Sequence, residues 1–273
     1  MGIVKPNTSL EDWVSDLAAR GKFSFSLEML RDAFPEQTTV AAKYSLMRLA
    51  AKGSILSIHK GYYLIIPPQY KSKGVLPPAL YLDAFMKELN RPYYLALLNA
   101  AVYHGASHQQ PQEFFVVTNF PVLRPTAKKG LKVNYISKKE IPEELLEKRK
   151  TEAGYLNISN PVLTATDLVQ YAKRVGGITR VAEVLIELVD VIKPEAFNTE
   201  LVDYVPAAIL QRLGYLLEKV LQNFSLADAL EKAIQKNEIT MFRTPLKVAA
   251  ETKGFPVNER WKVIVNTQVE LNE

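Results

Sequence analysis

Leu10, Trp13, Val14 and Leu17 recur at the i, i+3, i+4, i+7 spacing of a helix with one buried face; Ser9 stands where an N-cap belongs and Gly21 where the helix should stop. Leu27, Leu30 and Phe34 repeat that spacing over residues 26–34, closed by Pro35. A third helix is predicted from Thr38 or Thr39 to Gly53, burying Ala42, Leu46, Leu49 and Ala50. The period then changes: residues 55–59 and 62–66 read as strands joined by Lys60-Gly61, a two-residue connection of the kind tight hairpins use. Pro67-Pro68 closes this block, and the polar, basic, proline-bounded residues 69–78 read as a linker.

Beyond it the pattern is mixed. Residues 79–89 and 93–104 look helical, and residues 113–120, 130–137 and 154–159 look like strands. From Thr164 the chain turns helical, in runs ending near Gly176-Gly177, then over 179–192, 206–221 and 225–235, the third run with Ile209, Leu213, Leu216, Leu217 and Val220 on one face. A last strand is expected at 261–267. The expected fold class is α+β: an N-terminal winged helix-turn-helix over 1–68, a linker over 69–78, and a larger α+β domain over 79–273 with a small sheet and a C-terminal group of helices.

Charge sharpens the reading of the first block. The net charge is +5, and the surplus sits early: through Lys73 there are ten Lys or Arg against six Asp or Glu. Between Glu36 and Asp83 no acid occurs, while Lys43, Arg48, Lys52, Lys60, Lys71 and Lys73 fall in that window. A surface of one sign suits a polyanion, gripped through phosphate contacts and counterion release.

With Leu46 and Leu49 facing inward, the outward side of the third helix carries Gln37, Val40, Ala41, Tyr44, Met47 and Arg48, with Thr38 and Lys43 toward its edges. The helix is expected to enter the major groove of double-stranded DNA while the hairpin turn reaches the flanking backbone. The expected contact set is Thr38, Thr39, Lys43, Tyr44, Arg48, Lys60 and Tyr62. A second basic group, Arg124, Lys128, Lys129 and Lys132, with Lys138 and Lys139 further along, is either auxiliary DNA contact or a solvated strand edge.

Other chemistry has little to stand on. There is no cysteine, so neither disulfides nor thiolate metal ligands are available, which fits a reducing, cytoplasmic setting. No apolar run approaches the roughly 18 residues of a membrane span, and residues 1–13 lack the profile of an export signal. His104 and His108 form an H-x3-H pair without the glutamate a metalloprotease helix needs, and no phosphate-binding glycine motif or nucleophile elbow is present. No cofactor or metal is expected, and no catalytic residue. The rival reading is a nucleic-acid-processing enzyme using Glu113, Glu140 or Asp167 with Lys138 or Lys139; a protein-interaction adaptor is the third.

The residues also resemble a known family. The helix end LAAKGSI with the hairpin KGYYLI, then PYYLALLNAAVYHGASHQQPQEFFVVTN at 92–119, LNISNPVLTATDLVQYAKRVGG at 156–177 and RLGYLLE at 212–218 together resemble the AbiEi-type antitoxins. These are transcriptional regulators of type IV toxin-antitoxin modules tied to abortive phage infection. The resemblance implies a protein that binds inverted repeats in its own promoter and represses its operon. It implies a nucleotidyltransferase-like toxin as functional partner, countered without a stable complex; the larger domain is expected to carry antitoxicity and contacts between copies on adjacent repeats. Of the family's functional positions it carries over Lys43, Arg48 and Lys60.

Overall fold

The computed structural model describes residues 9–106 and 111–271. They form two compact units: one of Met1–Tyr93, Gln112–Lys139 and Lys148–Asn157, the other of Tyr94–Pro111, Glu140–Glu147 and Ile158–Glu273.

In the first unit α1 (Leu10–Ala19) starts at a capping box, the Ser9 hydroxyl accepting from the Asp12 amide while the Asp12 carboxylate accepts from the Ser9 amide. The short strand β1 (Ser24–Ser26) leads into α2 (Leu27–Ala33), which Ser26 caps, and Thr38 caps α3 (Thr39–Ala51). Strands β2 (Ile55–His59) and β3 (Tyr62–Ile65) form the hairpin, and β1 joins it antiparallel in the order β1-β3-β2. Gly61 has φ 74°, a left-handed conformation in which a side chain would be strained. The strand β1 is absent from the hydrophobic pattern because three residues are too few to show an alternation. Its Phe25 is fully buried, lies opposite Tyr63 in the sheet and stacks on that ring at 5.4 Å, while Trp13 meets Phe25 edge-on at 5.2 Å. Leu10, Val14, Leu17, Leu30, Ala42, Leu46, Leu49 and Ile55 complete this core. Ala50, expected inside, is exposed: only Ala42, Leu46 and Leu49 of α3 face inward, so its buried stripe is narrow.

Residues 69–78 are not bare coil. Turns of 3-10 helix occupy Pro68–Tyr70 and Pro78–Leu80, and Leu76 is fully buried. Helix α4 (Leu82–Glu88) sets Phe85 5.0 Å from the Tyr62 ring and 5.6 Å from His59, so this compact unit runs on past residue 78.

The predicted helix over 93–104 is instead a strand and a shorter helix, β4 (Tyr93–Leu95) and α5 (Leu97–Tyr103). All three residues of β4 are buried, and Leu95 faces Ile158 in a parallel pair; a run apolar on both faces fits a buried strand better than an amphipathic helix. Back in the first unit, β5 (Glu113–Asn119), β6 (Thr126–Lys128) and β7 (Leu131–Lys138) pair, β5 with β7 in parallel from Glu113↔Lys132 to Asn119↔Lys138 and β6 with β7 antiparallel. Strands β8 (Leu146–Thr151) and β9 (Gly154–Ser159) are neighbours; β8, LEKRKT, is too charged to have stood out as a strand.

The second unit is mainly helical. Helix α6 (Pro161–Gln170), capped by Asn160, is buried from Val162 to Val169 and packs on α5. There follow α7 (Ile178–Leu188), α8 (Thr199–Tyr204), α9 (Ala207–Tyr215) and α10 (Phe224–Lys236). The single helix expected over 206–221 changes at Leu216 into a π-helical turn, Leu216–Val220. A side-chain β-carbon on Gly214 would meet the Trp261 ring, so glycine lets that ring lie against α9. Trp261, fully buried, donates its indole N–H to the Glu218 carboxylate at 2.6 Å. Arg260 reaches Glu218 at 3.3 Å, Asp228 at 2.6 Å and Glu231 at 2.7 Å. From α9, Gln211 donates to the carbonyls of Phe242 and Trp261, and Arg212 to the carbonyl of Pro245. These bonds hold β10 (Thr244–Pro245), β11 (Val257–Asn258) and β12 (Val263–Ile264), a small sheet in the order β10-β12-β11, of which only β12 falls within the expected strand at 261–267.

Candidate nucleic-acid interface

Helix α3 buries residues at i, i+4 and i+7 and leaves the rest of its circumference open. Val40, Tyr44 and Met47 are 64%, 65% and 57% exposed, an unpartnered apolar stripe that a folded monomer has no reason of its own to keep. Flanking it, Lys43 and Arg48 are exposed, and Lys60 is exposed at the hairpin turn. None of these three cations makes an ion pair among the described residues; the nearest bond is a 3.4 Å contact from the Arg48 guanidinium to the Ser45 hydroxyl. Lys52, in contrast, is held by Glu11 at 2.7 Å and leaves the free set.

Thr38 and Thr39 are exposed at the start of α3. The Thr38 hydroxyl oxygen caps the helix, accepting from the Ala41 amide at 3.2 Å, and its own proton remains available to an outside acceptor. The first turn of α3 carries no acid, so no carboxylate of its own offsets the positive end of its dipole.

Tyr62 requires a correction. Placed by the sequence beside Lys60 as a surface contact, it is only 4% exposed, its hydroxyl 2.7 Å from that of Ser24 and its ring against Phe85. Burial is the main cause that pushes its phenol up to about 12. The alternation of the strand sends Tyr62 inward, and adjacency to the turn does not change which face it is on. It is a packing residue.

Of the second basic group, Arg124, Lys128, Lys129 and Lys132 are all exposed. Lys132 is bound to Glu113 at 2.7 Å, whose other carboxylate oxygen accepts from Asn134, also at 2.7 Å. The hydrogen bond from Lys132 is the first cause holding the Glu113 carboxyl below its ordinary range. Lys129 lies across Gly74, close enough that a β-carbon there would collide with it. These residues share a compact unit with α3 and the hairpin.

Of the acids considered for catalysis, Glu140 is exposed and the other two are otherwise engaged. Glu113 is held as described, and Asp167 is 1% exposed and accepts from the Tyr94 hydroxyl at 2.9 Å. The two belong to different compact units. His104 is buried with Nε2 2.7 Å from the Ser159 carbonyl, while His108 lies outside the described residues. Gly176 and Gly177, read as a helix stop, both take positive φ, and Gly177 occupies the N-cap of α7. Among the described residues no cluster of three metal-ligating side chains occurs, and no helix is long and apolar enough to cross a membrane.

Three comparisons bear on what such a chain is. No curated protein matches it significantly. Among solved structures it is similar to the RV2827C protein from Mycobacterium tuberculosis, with a TM-score of 0.65 over 93% of this chain and 89% of that one. At 19% identity that likeness speaks for the fold alone. Residues 94–219 match the family described as the AbiEi antitoxin C-terminal domain. That match spans somewhat under half of the chain, so it is this region that is similar to the AbiEi antitoxin C-terminal domain.

Proposed function

We propose that the chain is a DNA-binding antitoxin that represses its own operon within a type IV toxin-antitoxin module of phage defence. In this reading residues 1–68 work as a winged helix-turn-helix. Helix α3 lies in the major groove, and Lys60 at the hairpin turn reaches a phosphate beside it. The observation that carries the reading is the open face of α3: an apolar stripe of Val40, Tyr44 and Met47, bordered by cations that meet no acid among the described residues. Apolar side chains of this size meet thymine methyls, and Lys43, Arg48, Thr38 and Thr39 supply phosphate or base-edge contacts. Arg124, Lys128 and Lys129 extend the basic surface, and Lys132 contributes less because Glu113 already neutralises it.

The functional partner in this reading is a nucleotidyltransferase-like toxin, countered without a stable complex, and copies associate on inverted repeats in their own promoter. The protein acts in the cytoplasm as a regulator and not as an enzyme. Support for these finer points comes from the family match and from the engagement of Glu113 and Asp167 in internal bonds.

The test is an anisotropy titration of purified protein against duplex DNA from upstream of its gene and against a scrambled duplex, over a range of salt concentrations. Tight, salt-sensitive binding with preference for the native duplex is expected. Equal indifference to both duplexes in dilute buffer would falsify the repressor reading. Metal-dependent cleavage of either duplex, lost on Glu113→Gln or Asp167→Asn, would favour the enzyme instead.

A further inference from the structure

Between α2, α3 and the hairpin turn lies a cleft of about 440 Å³. Its floor is apolar, formed by Leu27, Leu30, Phe34, Leu46 and Tyr63. Among the described residues its charged lining is cationic throughout, Arg31, Lys43 and Lys60, and none of the three is paired with an acid. Gln37 also lines it and keeps its Oε1 buried without a hydrogen-bond partner. The volume falls inside the range of roughly 300–1,000 Å³ typical of small-ligand sites, which combine apolar walls with a few convergent polar groups.

We infer that this cleft binds a small amphipathic anion: a flat or short apolar body, a carboxylate at the cationic rim, and a hydroxyl or N–H donor for Gln37. The apolar floor takes the body out of water. A carboxylate on lysine or arginine makes charge-assisted bonds. A donor from the ligand, met by a turn of the carboxamide, satisfies an acceptor that is otherwise left buried and unpaired. A cationic ligand would face three like charges, and a neutral one would leave them unused. Because Lys43 and Lys60 also belong to the proposed DNA contact, an occupied cleft competes with DNA; this consequence, unlike the binding itself, rests on the function proposed above.

The experiment is calorimetric titration of the full chain with 6-hydroxy-2-naphthoate, alongside 2-naphthoate, which lacks the hydroxyl, and 2-naphthol, which lacks the charge. The hydroxy acid should bind about tenfold or more tighter than 2-naphthol, the loss of a charge-assisted bond being of that order. Its smaller advantage over 2-naphthoate should vanish in Gln37→Leu. Ala50→Trp places a bulky ring on an exposed lining position and should abolish binding while circular dichroism stays unchanged; Lys60→Gln, in the turn, gives a second test through the rim. Equal binding of 2-naphthol, or an unaltered titration in both Ala50→Trp and Lys60→Gln, overturns the site. In anisotropy the hydroxy acid should release bound promoter duplex and 2-naphthol should not. Acid binding by a protein that ignores DNA removes the repressor reading and leaves the cleft standing; DNA binding without acid binding removes the cleft. Binding of both without competition removes the coupling between them.

Discussion

Two regions of this molecule carry dense charge and use it in opposite ways. Around Arg260 the cation meets Glu218, Asp228 and Glu231, and the Trp261 indole adds a further donor to Glu218. Around α3 the cations Lys43, Arg48 and Lys60 meet no carboxylate among the described residues. The first arrangement is complete within the fold and serves to anchor the C-terminal segment on the π-turn and α10. The second has no such internal completion among the described residues, which is why an anionic partner is proposed for it. What separates them is sequence composition at short range: acids stand throughout 218–260, and none stands between Glu36 and Asp83.

The largest effect expected from this contrast is on stability. Trp261→Ala should cost about 3–5 kcal/mol in denaturant unfolding, the usual loss for a buried aromatic, because it empties the space beside Gly214 and leaves the Glu218 carboxylate short of a donor. The same variant, assayed where it is folded, should keep the wild-type salt dependence on DNA. A changed slope would mean the two regions are not separate in function.

Next in size is an acid-dependent effect at Glu218. Burial alone pushes that carboxyl up, but hydrogen bonds from Lys219 and Trp261 and the charges of Lys219 and Arg260 outweigh it and leave it below the ordinary value of 4.5. A carboxyl lowered by folding adds stability at pH above its ordinary value, and that contribution is lost as pH falls through the folded value. Glu218→Gln should therefore be less stable than wild type near neutrality, by about 1–3 kcal/mol for hydrogen bonds to a charged group. The gap should close below pH 4.5. A gap that stays constant across that range would show that the carboxylate charge is not what binds the segment.

The legibility of these regions differs for physical reasons. Helix α3 and its hairpin could be read from sequence because amphipathic spacing, a capping threonine and a Lys-Gly turn are all local signals. The π-turn at Leu216–Val220 was hidden because the apolar spacing of Ile209, Leu213, Leu216, Leu217 and Val220 runs through it unbroken. Likewise β1 and β8 exist through their sheet partners; neither SFS nor LEKRKT has enough apolar alternation to announce a strand. In the candidate interface, the cations were legible because exposure is the default for lysine and arginine, whereas the inward turn of Tyr62 needed the strand register to be known. The cleft could not be read at all, since it arises between α2, α3 and the turn.

That register makes a smaller prediction. Tyr62→Phe removes the hydrogen bond to Ser24 while keeping the ring on Phe85, so stability should fall by about 1 kcal/mol and the DNA titration should overlay wild type. Weakened DNA binding at unchanged stability would return Tyr62 to the interface.

The finest distinction concerns Arg48. Its side chain is exposed and its one internal bond is a long contact to Ser45, so Arg48→Ala should alter stability by no more than about 0.5 kcal/mol. If it touches a phosphate, the variant releases one counterion fewer, and the slope of log affinity against log salt should become shallower by about 0.9. That shift should appear equally on native and scrambled duplexes, because a phosphate contact carries no sequence information. A loss confined to the native duplex would place the guanidinium on a base edge instead. Superimposed salt titrations for variant and wild type on both duplexes would leave Lys43 and Lys60 as the cations that carry the contrast with Arg260.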